Sequence, residues 1–253
     1  MKHVVFFAMS MIIIVAFPLL CNAQSKEYSE TKNLLSAFVS YSELRIQGVQ
    51  QNLEILASIS ELKSGKWENM KDILAEYQKN DSSLIIWFVL PDGSYYTVSK
   101  GLMDVKLNDR AYFPRLFAGE KVIGDLVVSK STGKRSAVFA VPVVSDGKII
   151  GGIGASLFLD VLSQQVGSVF ELPKDMGFFA LSPEGLTVLH SHTERTFLDP
   201  RELGSETLKK AIDEMLSQSS GQVAYYYDNM NKQAVFSTSQ LTHWRFAITF
   251  EAK

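Results

Sequence analysis

The chain of 253 residues has a single cysteine, Cys21, and no excess of basic residues. One cysteine excludes a disulfide framework and a metal site built on several cysteine ligands. The 25 Lys and Arg residues are balanced by 27 Asp and Glu residues, whereas a nucleic-acid-binding surface needs a clear excess of positive charge. Hydrophobic residues make up 46% of the chain, which predicts a globular protein of one domain or two small ones.

Only one long apolar run occurs, residues 4–20, and Lys2 and His3 precede it. Small residues then define a cleavage position after Ala23, which completes the order of regions in a secretory signal peptide. Residues 1–23 are therefore predicted to be a signal peptide. An uncleaved membrane anchor is the alternative, because the run is about as long as the shortest spanning helices. We expect a periplasmic or secreted protein, or one anchored in the inner membrane and facing the periplasm.

Proline is absent between Ser25 and Lys63, and Gly48 is the only glycine there, so one long helix is predicted. Its apolar residues recur at steps of three and four and form a seam: Leu35, Val39, Ile46, Val49, Leu53 and Leu56. Such a seam packs either against the helix's own domain or along a second copy in a homodimer. A second, shorter helix is predicted over residues 67–78, so that 24–80 is helical.

After Asn80 the sequence changes to short apolar runs separated by turns. The turns PDGS (91–94) and SPEG (182–185) each join two apolar runs, which is a hairpin signal. Each hairpin is followed by a short helix and three further strands. The pattern thus predicts an α+β fold in which a long helix precedes two similar modules, each an antiparallel sheet of about five strands with flanking helices. The expected boundaries are 81–160 for the first module, 161–175 for a linker helix and 176–253 for the second module.

Five segments carry a resemblance to a known family. They are IIWFVLPDGSYYTV (85–98), DRAYF (109–113), VVSKSTGKRSAVFAVPVV (127–144), IIGGIGASLFLDVLS (149–163) and FFALSPEGLTVLH (178–190). In their order and spacing they resemble the double Cache domain, a pair of tandem PAS-like modules that forms the extracytoplasmic sensor of bacterial chemoreceptors, histidine kinases and cyclases. The resemblance implies that the first module is distal from the membrane and the second proximal.

The resemblance also implies a site in the distal module. Amino-acid-binding members share an Arg-x-Trp-Tyr stretch, which Arg110, Tyr112 and Phe113 match with Tyr in place of Trp and Phe in place of Tyr. Their Tyr-x-Asp pair has no counterpart here, and Ser156 stands where they have a late Asp. An Arg can hold a carboxylate through two hydrogen bonds, but a serine cannot supply the charge that a ligand ammonium needs. We therefore expect a carboxylate or a neutral polar ligand rather than a free amino acid.

Further side chains of this module could line such a pocket. They are the aromatic residues Trp87, Tyr95 and Tyr96 and the hydroxyl residues Ser129 and Ser131. Structural roles are the alternatives: an ion pair with Asp109 or another carboxylate for Arg110, close strand packing for Ser156, and core positions for the aromatic residues.

No other motif predicts chemistry. STGK (131–134) has Val128 where a P-loop needs its first glycine. His190 and His192 lie on one side of a predicted strand and could begin a metal site, but we expect them to mark a strand end. No catalytic residue, metal or cofactor is predicted.

The expected function is that of a small-molecule sensor. No kinase, cyclase or methyl-accepting segment is recognised, so the signal would pass to a partner, for which a membrane sensor is the candidate. The alternative is an exported structural or interaction module with a vestigial pocket, which dimerises through the long helix.

Overall fold

The computed structural model describes residues 10–252, with side chains from residue 28 onward. It begins with α1 (Ser10–Ser58), a helix of 49 residues. The predicted signal peptide lies outside the described residues over 1–9, and over 10–23 only its helical backbone is described. Within the described residues, no helix is both long enough and apolar enough to cross a membrane.

The long helix is shorter at its C-terminal end than the sequence predicts. It stops at Ser58, Ile59 is extended (φ −76°, ψ 154°), and α2 (Ser60–Lys63) starts again. The Ser58 hydroxyl donates to the carbonyl of Ile55 at 2.7 Å, and such local bonds compete with regular helix geometry. α3 (Trp67–Lys79) follows. The prediction of one unbroken helix to Lys63 is therefore wrong, because the helix is interrupted at Ile59.

The apolar seam of α1 lies in the core of the chain. All of its residues are buried except Val39, which is half-buried. They pack together with side chains of both sheets. This confirms the first of the two interpretations of the seam, and it makes these side chains unavailable as a dimer interface.

The first sheet has six antiparallel strands in the order β3-β2-β1-β6-β5-β4. They are β1 (Leu84–Val89), β2 (Tyr95–Thr97), β3 (Gly101–Leu102), β4 (Val122–Val128), β5 (Arg135–Ser145) and β6 (Lys148–Phe158). The short helix α4 (Tyr112–Phe117) packs against β4, β5 and β6. We call this sheet with α4 the first module.

The second sheet has five antiparallel strands in the order β8-β7-β11-β10-β9. They are β7 (Met176–Leu181), β8 (Thr187–His190), β9 (Ser220–Tyr227), β10 (Met230–Thr238) and β11 (Arg245–Glu251). α5 (Leu159–Phe170) leads into the sheet, and the short 3₁₀ helices Thr193–Arg195 and Pro200–Glu202 and α6 (Glu206–Ser217) lie between β8 and β9. We call this sheet with α6 the second module. Apart from the short β3, the two sheets have the same strand order, which confirms the predicted α+β duplication.

Both modules share one hydrophobic core with α1. Phe38 of α1 makes edge-to-face contacts with Phe178 (5.0 Å between ring centroids) and Phe246 (4.9 Å) of the second module. The ring of Trp244 packs so closely on Gly124 of β4 that a Cβ there would lie 3.0 Å from it. One cluster of buried apolar residues therefore joins α1 to one face of each sheet, and the other face of each sheet has a separate cluster.

Candidate ligand-binding cavities

The first module contains a small cavity between its sheet and the segment that leads into α4. Its volume is about 20 Å³, which is room for about one water molecule. Seven of the nine predicted site residues line it: Trp87, Tyr95, Arg110, Tyr112, Ser129, Ser131 and Ser156. Leu107, Val127 and Lys130 complete the lining.

The other two predicted site residues do not line this cavity. Tyr96 follows Tyr95 on β2, and successive side chains of a strand point to opposite faces. The ring of Tyr96 therefore stacks on Trp67 of α3, with centroids 4.9 Å apart. Phe113 packs against Phe117 one turn later in α4, at 4.6 Å. The sequence predicted both side chains in the pocket lining, but the strand and helix geometry directs them away from this cavity.

Arg110 is not paired with Asp109. The Asp109 carboxylate instead accepts hydrogen bonds from Nζ of Lys130 at 2.6 and 2.8 Å, and this interaction lowers the pKa of Asp109. Nη2 of Arg110 donates to the backbone carbonyl of Val128 at 2.8 Å. No carboxylate of the described residues lies within 4.0 Å of the Arg110 guanidinium. The cavity thus contains a positive charge without a close counter-ion.

The indole of Trp87, on β1, packs against Ser156 and Gly154 of the neighbouring strand β6. The indole Nε1–H donates to Oγ of Ser156 at 3.1 Å. Gly154 lies directly opposite Trp87 in the strand pair, and a Cβ at Gly154 would lie only 2.2 Å from the ring. The absence of a side chain at Gly154 therefore lets the ring pack directly on β6, beside the small cavity.

Two buried tyrosines, Tyr95 and Tyr112, add hydroxyl groups to this cavity. Tyr95 is 2% exposed, and its hydroxyl has no hydrogen-bond partner among the described residues. Burial raises the pKa of Tyr95 and, more strongly, that of Tyr112, while the charge of Arg110 lowers both. Both phenols therefore stay neutral and can donate a hydrogen bond. A buried donor without a partner is costly, so Tyr95 marks a position that favours a polar ligand atom.

The second module contains a larger cavity, of about 210 Å³. It lies between the sheet, α6 and the first 3₁₀ helix. The side chains on its walls include Phe179, His190, Arg195, Leu208, Ile212, Tyr225, Tyr227, Lys232 and Thr249. The sequence interpretation assigned nothing here and took His190 and His192 as a strand end. The duplication of the module could have predicted this cavity, because the second module also has a sheet with one face covered by a helix.

His190 is the most perturbed group of this second cavity. Burial lowers its pKa to about 3, and the nearby charges of Arg195, His192 and Lys232 contribute in the same direction. Its Nδ1 accepts a hydrogen bond from the backbone N–H of His192 at 2.8 Å, so the neutral ring carries its proton on Nε2. Within the described part of the chain, no three His, Cys, Asp or Glu side chains are grouped so that they could hold a metal ion.

No protein-family model and no curated protein sequence matches the chain. Solved structures do match, at low sequence identity. The sensory domain of the Campylobacter jejuni chemoreceptor Tlp3 with bound isoleucine is 14% identical with a TM-score of 0.67, over 92% of this chain and 95% of that one. The extracellular domain of the histidine kinase rpHK1S-Z16 is 17% identical with a TM-score of 0.74, over 91% and 96%.

A third match is an extracellular ligand-binding receptor from Desulfohalobium retbaense. It is 16% identical with a TM-score of 0.70, over 87% of this chain and 40% of that one. The fold is thus that of the sensory domains of chemoreceptors and histidine kinases. It is the double Cache fold, as the sequence segments predicted.

Proposed function

We propose that the protein is an extracytoplasmic sensor that binds a small carboxylate or neutral polar metabolite in the first-module cavity. The observation that carries the proposal is that two groups line the same cavity: the guanidinium of Arg110, which has no close counter-ion, and the buried hydroxyl of Tyr95, which has no hydrogen-bond partner among the described residues. The matched structures support it, because they are extracellular or sensory domains and one of them contains bound isoleucine.

The chemistry of the lining favours an acid over an amino acid. A guanidinium has five N–H donors in a planar fork, and Val128 accepts from only one of its nitrogens. The remaining donors suit a carboxylate, to which Tyr95 could add a third hydrogen bond. No Asp or Glu lines the cavity, so a ligand ammonium would lack a charged acceptor.

The volume requires the cavity to open when it binds such a ligand. Ser129, Lys130 and Ser131 line it from the turn between β4 and β5, which also contains Gly133 in left-handed geometry (φ +71°). We propose that this turn and Arg110 move outward together, because Arg110 is bonded to Val128 at the start of the turn.

The signal would then pass to a partner, with a membrane sensor as the candidate. We place the protein outside the cytoplasm, exported by the signal sequence proposed for residues 1–23. The proposed division is a helical region over 24–80, a distal module over 81–160, a linker over 161–175 and a proximal module over 176–253.

The small first cavity is the observation that favours a second candidate function. In that case the pocket is vestigial, and the protein acts as an exported interaction module that dimerises through α1. The buried seam is not available for this, but Leu44 and Ile55 on the outer side of α1 are 68% and 62% exposed. These two side chains would then lie at the dimer contact.

The test is a binding screen of the chain purified after export, with small carboxylates, amino acids, amines and nucleobases. A ligand at 100 times its dissociation constant stabilises a protein by about 2.7 kcal/mol, which a thermal shift detects. We expect a carboxylate among the hits. Calorimetry should show about tenfold or greater weakening in Arg110→Gln, because charged hydrogen bonds are lost.

Arg115→Gln is the matched control, since Arg115 pairs with Asp125 and does not line the cavity. Unchanged affinity in Arg110→Gln would contradict the assigned site. A folded protein that binds nothing in the panel, but loses a dimer on Leu44→Ser, would favour the interaction module.

A further inference from the structure

We propose that the cavity of the second module is a separate ligand site, which takes a small organic carboxylate with an apolar body. This site does not depend on the first-module cavity. It is about ten times larger in the same structure, at about 210 Å³ against about 20 Å³. A ligand of several carbon atoms therefore fits it without the opening movement that the first cavity needs.

One part of the cavity wall is apolar. Phe179 of β7 and Leu208 and Ile212 of α6 are all buried and all line the cavity. Leu208 and Ile212 are four residues apart and so share one face of α6. Such a surface takes the hydrocarbon part of a ligand, because its burial removes apolar area from water.

Positive groups converge on the cavity from another side. The Arg195 guanidinium lies over the ring of Tyr227, 5.3 Å from its centroid, and makes no ion pair with any carboxylate of the described residues. Lys232 also lines the cavity, and both charges act on His190. The carboxylates that contribute to the lining all belong to exposed residues: Asp175, Asp228 and Glu251. Arg195 and Lys232 are half-buried, so they are the less exposed charges of the lining and favour an anion inside.

Neutral donors complete the polar side. The Nε2–H of His190 has no hydrogen-bond partner among the residues described, and the one hydrogen bond of the ring is at Nδ1. Tyr225 and Thr249 share one hydrogen bond between their hydroxyls, at 3.0 Å. That bond uses only one of the two hydroxyl protons, so the other can be donated to a ligand oxygen.

The test uses hexanoate as the probe, with 1-hexanol and hexylamine as analogues of the same chain length. Calorimetry of the full chain at pH 7.5 should show that hexanoate binds and that both analogues bind at least about tenfold more weakly, because they lack the charged acceptor. Arg195→Gln should weaken hexanoate by about tenfold or more. Lys210→Gln is the matched control, since it removes one charge from an exposed position on α6 outside the cavity.

A second readout needs no variant. The ring signals of His190 and Tyr225 should shift in the nuclear magnetic resonance spectrum as hexanoate is added to the wild-type chain. Equal binding of the alcohol or amine, unshifted ring signals, or full affinity in Arg195→Gln would each overturn the proposal. Loss of hexanoate binding in Arg110→Gln but not in Arg195→Gln would also overturn it, while supporting the first-module site.

Discussion

The two modules have the same strand order but different space above their sheets. In the first, Trp87 of β1 lies opposite Gly154 of β6. In the second, Phe179 of β7 lies opposite Ala247 of β11. The larger ring packs over a glycine in the module whose cavity is about 20 Å³, and the smaller ring lies in the module whose cavity is about 210 Å³. We infer that this strand pair contributes to the difference in cavity volume between two modules of the same strand order.

The largest expected effect comes from adding one methyl group beneath the indole. Gly154→Ala would place a Cβ about 2.2 Å from Trp87, so the ring must leave its position and lose its bond to Ser156. Overpacking of this kind should lower the free energy of unfolding by about 3 kcal/mol. Urea unfolding measures it.

The same substitution in the second module is the control. A Cβ at Gly177 would meet only the movable hydroxyl of Ser191 at 3.0 Å and a methyl of Thr249 at 3.4 Å. Gly177→Ala should therefore cost less than about 1 kcal/mol. Equal costs in the two modules would show that the indole is not what fills the first one.

The effect of intermediate size is a pH dependence of the free energy of unfolding, which we expect from His190 of the second module. The pKa of His190 is lowered from 6.5 to about 3, so below pH 6.5 the unfolded chain takes up a proton that the folded chain does not. Stability from this group therefore falls as the pH falls from 6.5 towards 3. At pH 5 the loss should be about 2 kcal/mol, at about 1.4 kcal/mol per pH unit.

Urea unfolding at pH 7.5 and pH 5 measures this loss of stability in the wild type and in His190→Asn. Between these two pH values the variant should lose about 2 kcal/mol less free energy of unfolding than the wild type. His243→Asn is the control, because His243 is exposed and asparagine tolerates its left-handed backbone (φ +59°). A wild-type difference that His190→Asn leaves unchanged would contradict the assignment.

The smallest expected effect compares a hydrogen bond beside the small cavity with one beside the large cavity. Ser156→Ala leaves the indole N–H of Trp87 without its acceptor, beside a space for about one water molecule, which should cost about 1 to 2 kcal/mol. Tyr225→Phe removes the bond to Thr249, but water in the larger cavity can replace it, so we expect about 0.5 kcal/mol. Thermal unfolding of both variants measures the difference, and the reverse order would contradict it.

The duplicated fold could be predicted because its signals are local. The turns at 91–94 and 182–185 and the alternating apolar runs define hairpins without any tertiary information. The interruption of the long helix at Ile59 could not be predicted, because neither Gly nor Pro marks it. It is accompanied only by a hydrogen bond from the Ser58 hydroxyl to the backbone. The two-residue strand β3 is also too short to give a pattern.

The residues around the first cavity followed from a family resemblance, and strand alternation would have excluded Tyr96 once Tyr95 was placed inside. The second cavity was missed for a different reason. Its walls come from α6, from all five strands of the sheet and from both 3₁₀ helices, and no short segment contains enough of them to form a motif. Only the tertiary structure brings Arg195 and Tyr225 together.

The core that α1 shares with both sheets has a consequence for cooperativity. Because Phe38 contacts Phe178 and Phe246 and one apolar cluster joins α1 to a face of each sheet, neither module can lose its packing on α1 without exposing part of the other. The two modules should then melt as one unit, although each has its own sheet. A ligand in either cavity would raise the same melting temperature through mass action, so the whole chain reports the occupancy of both.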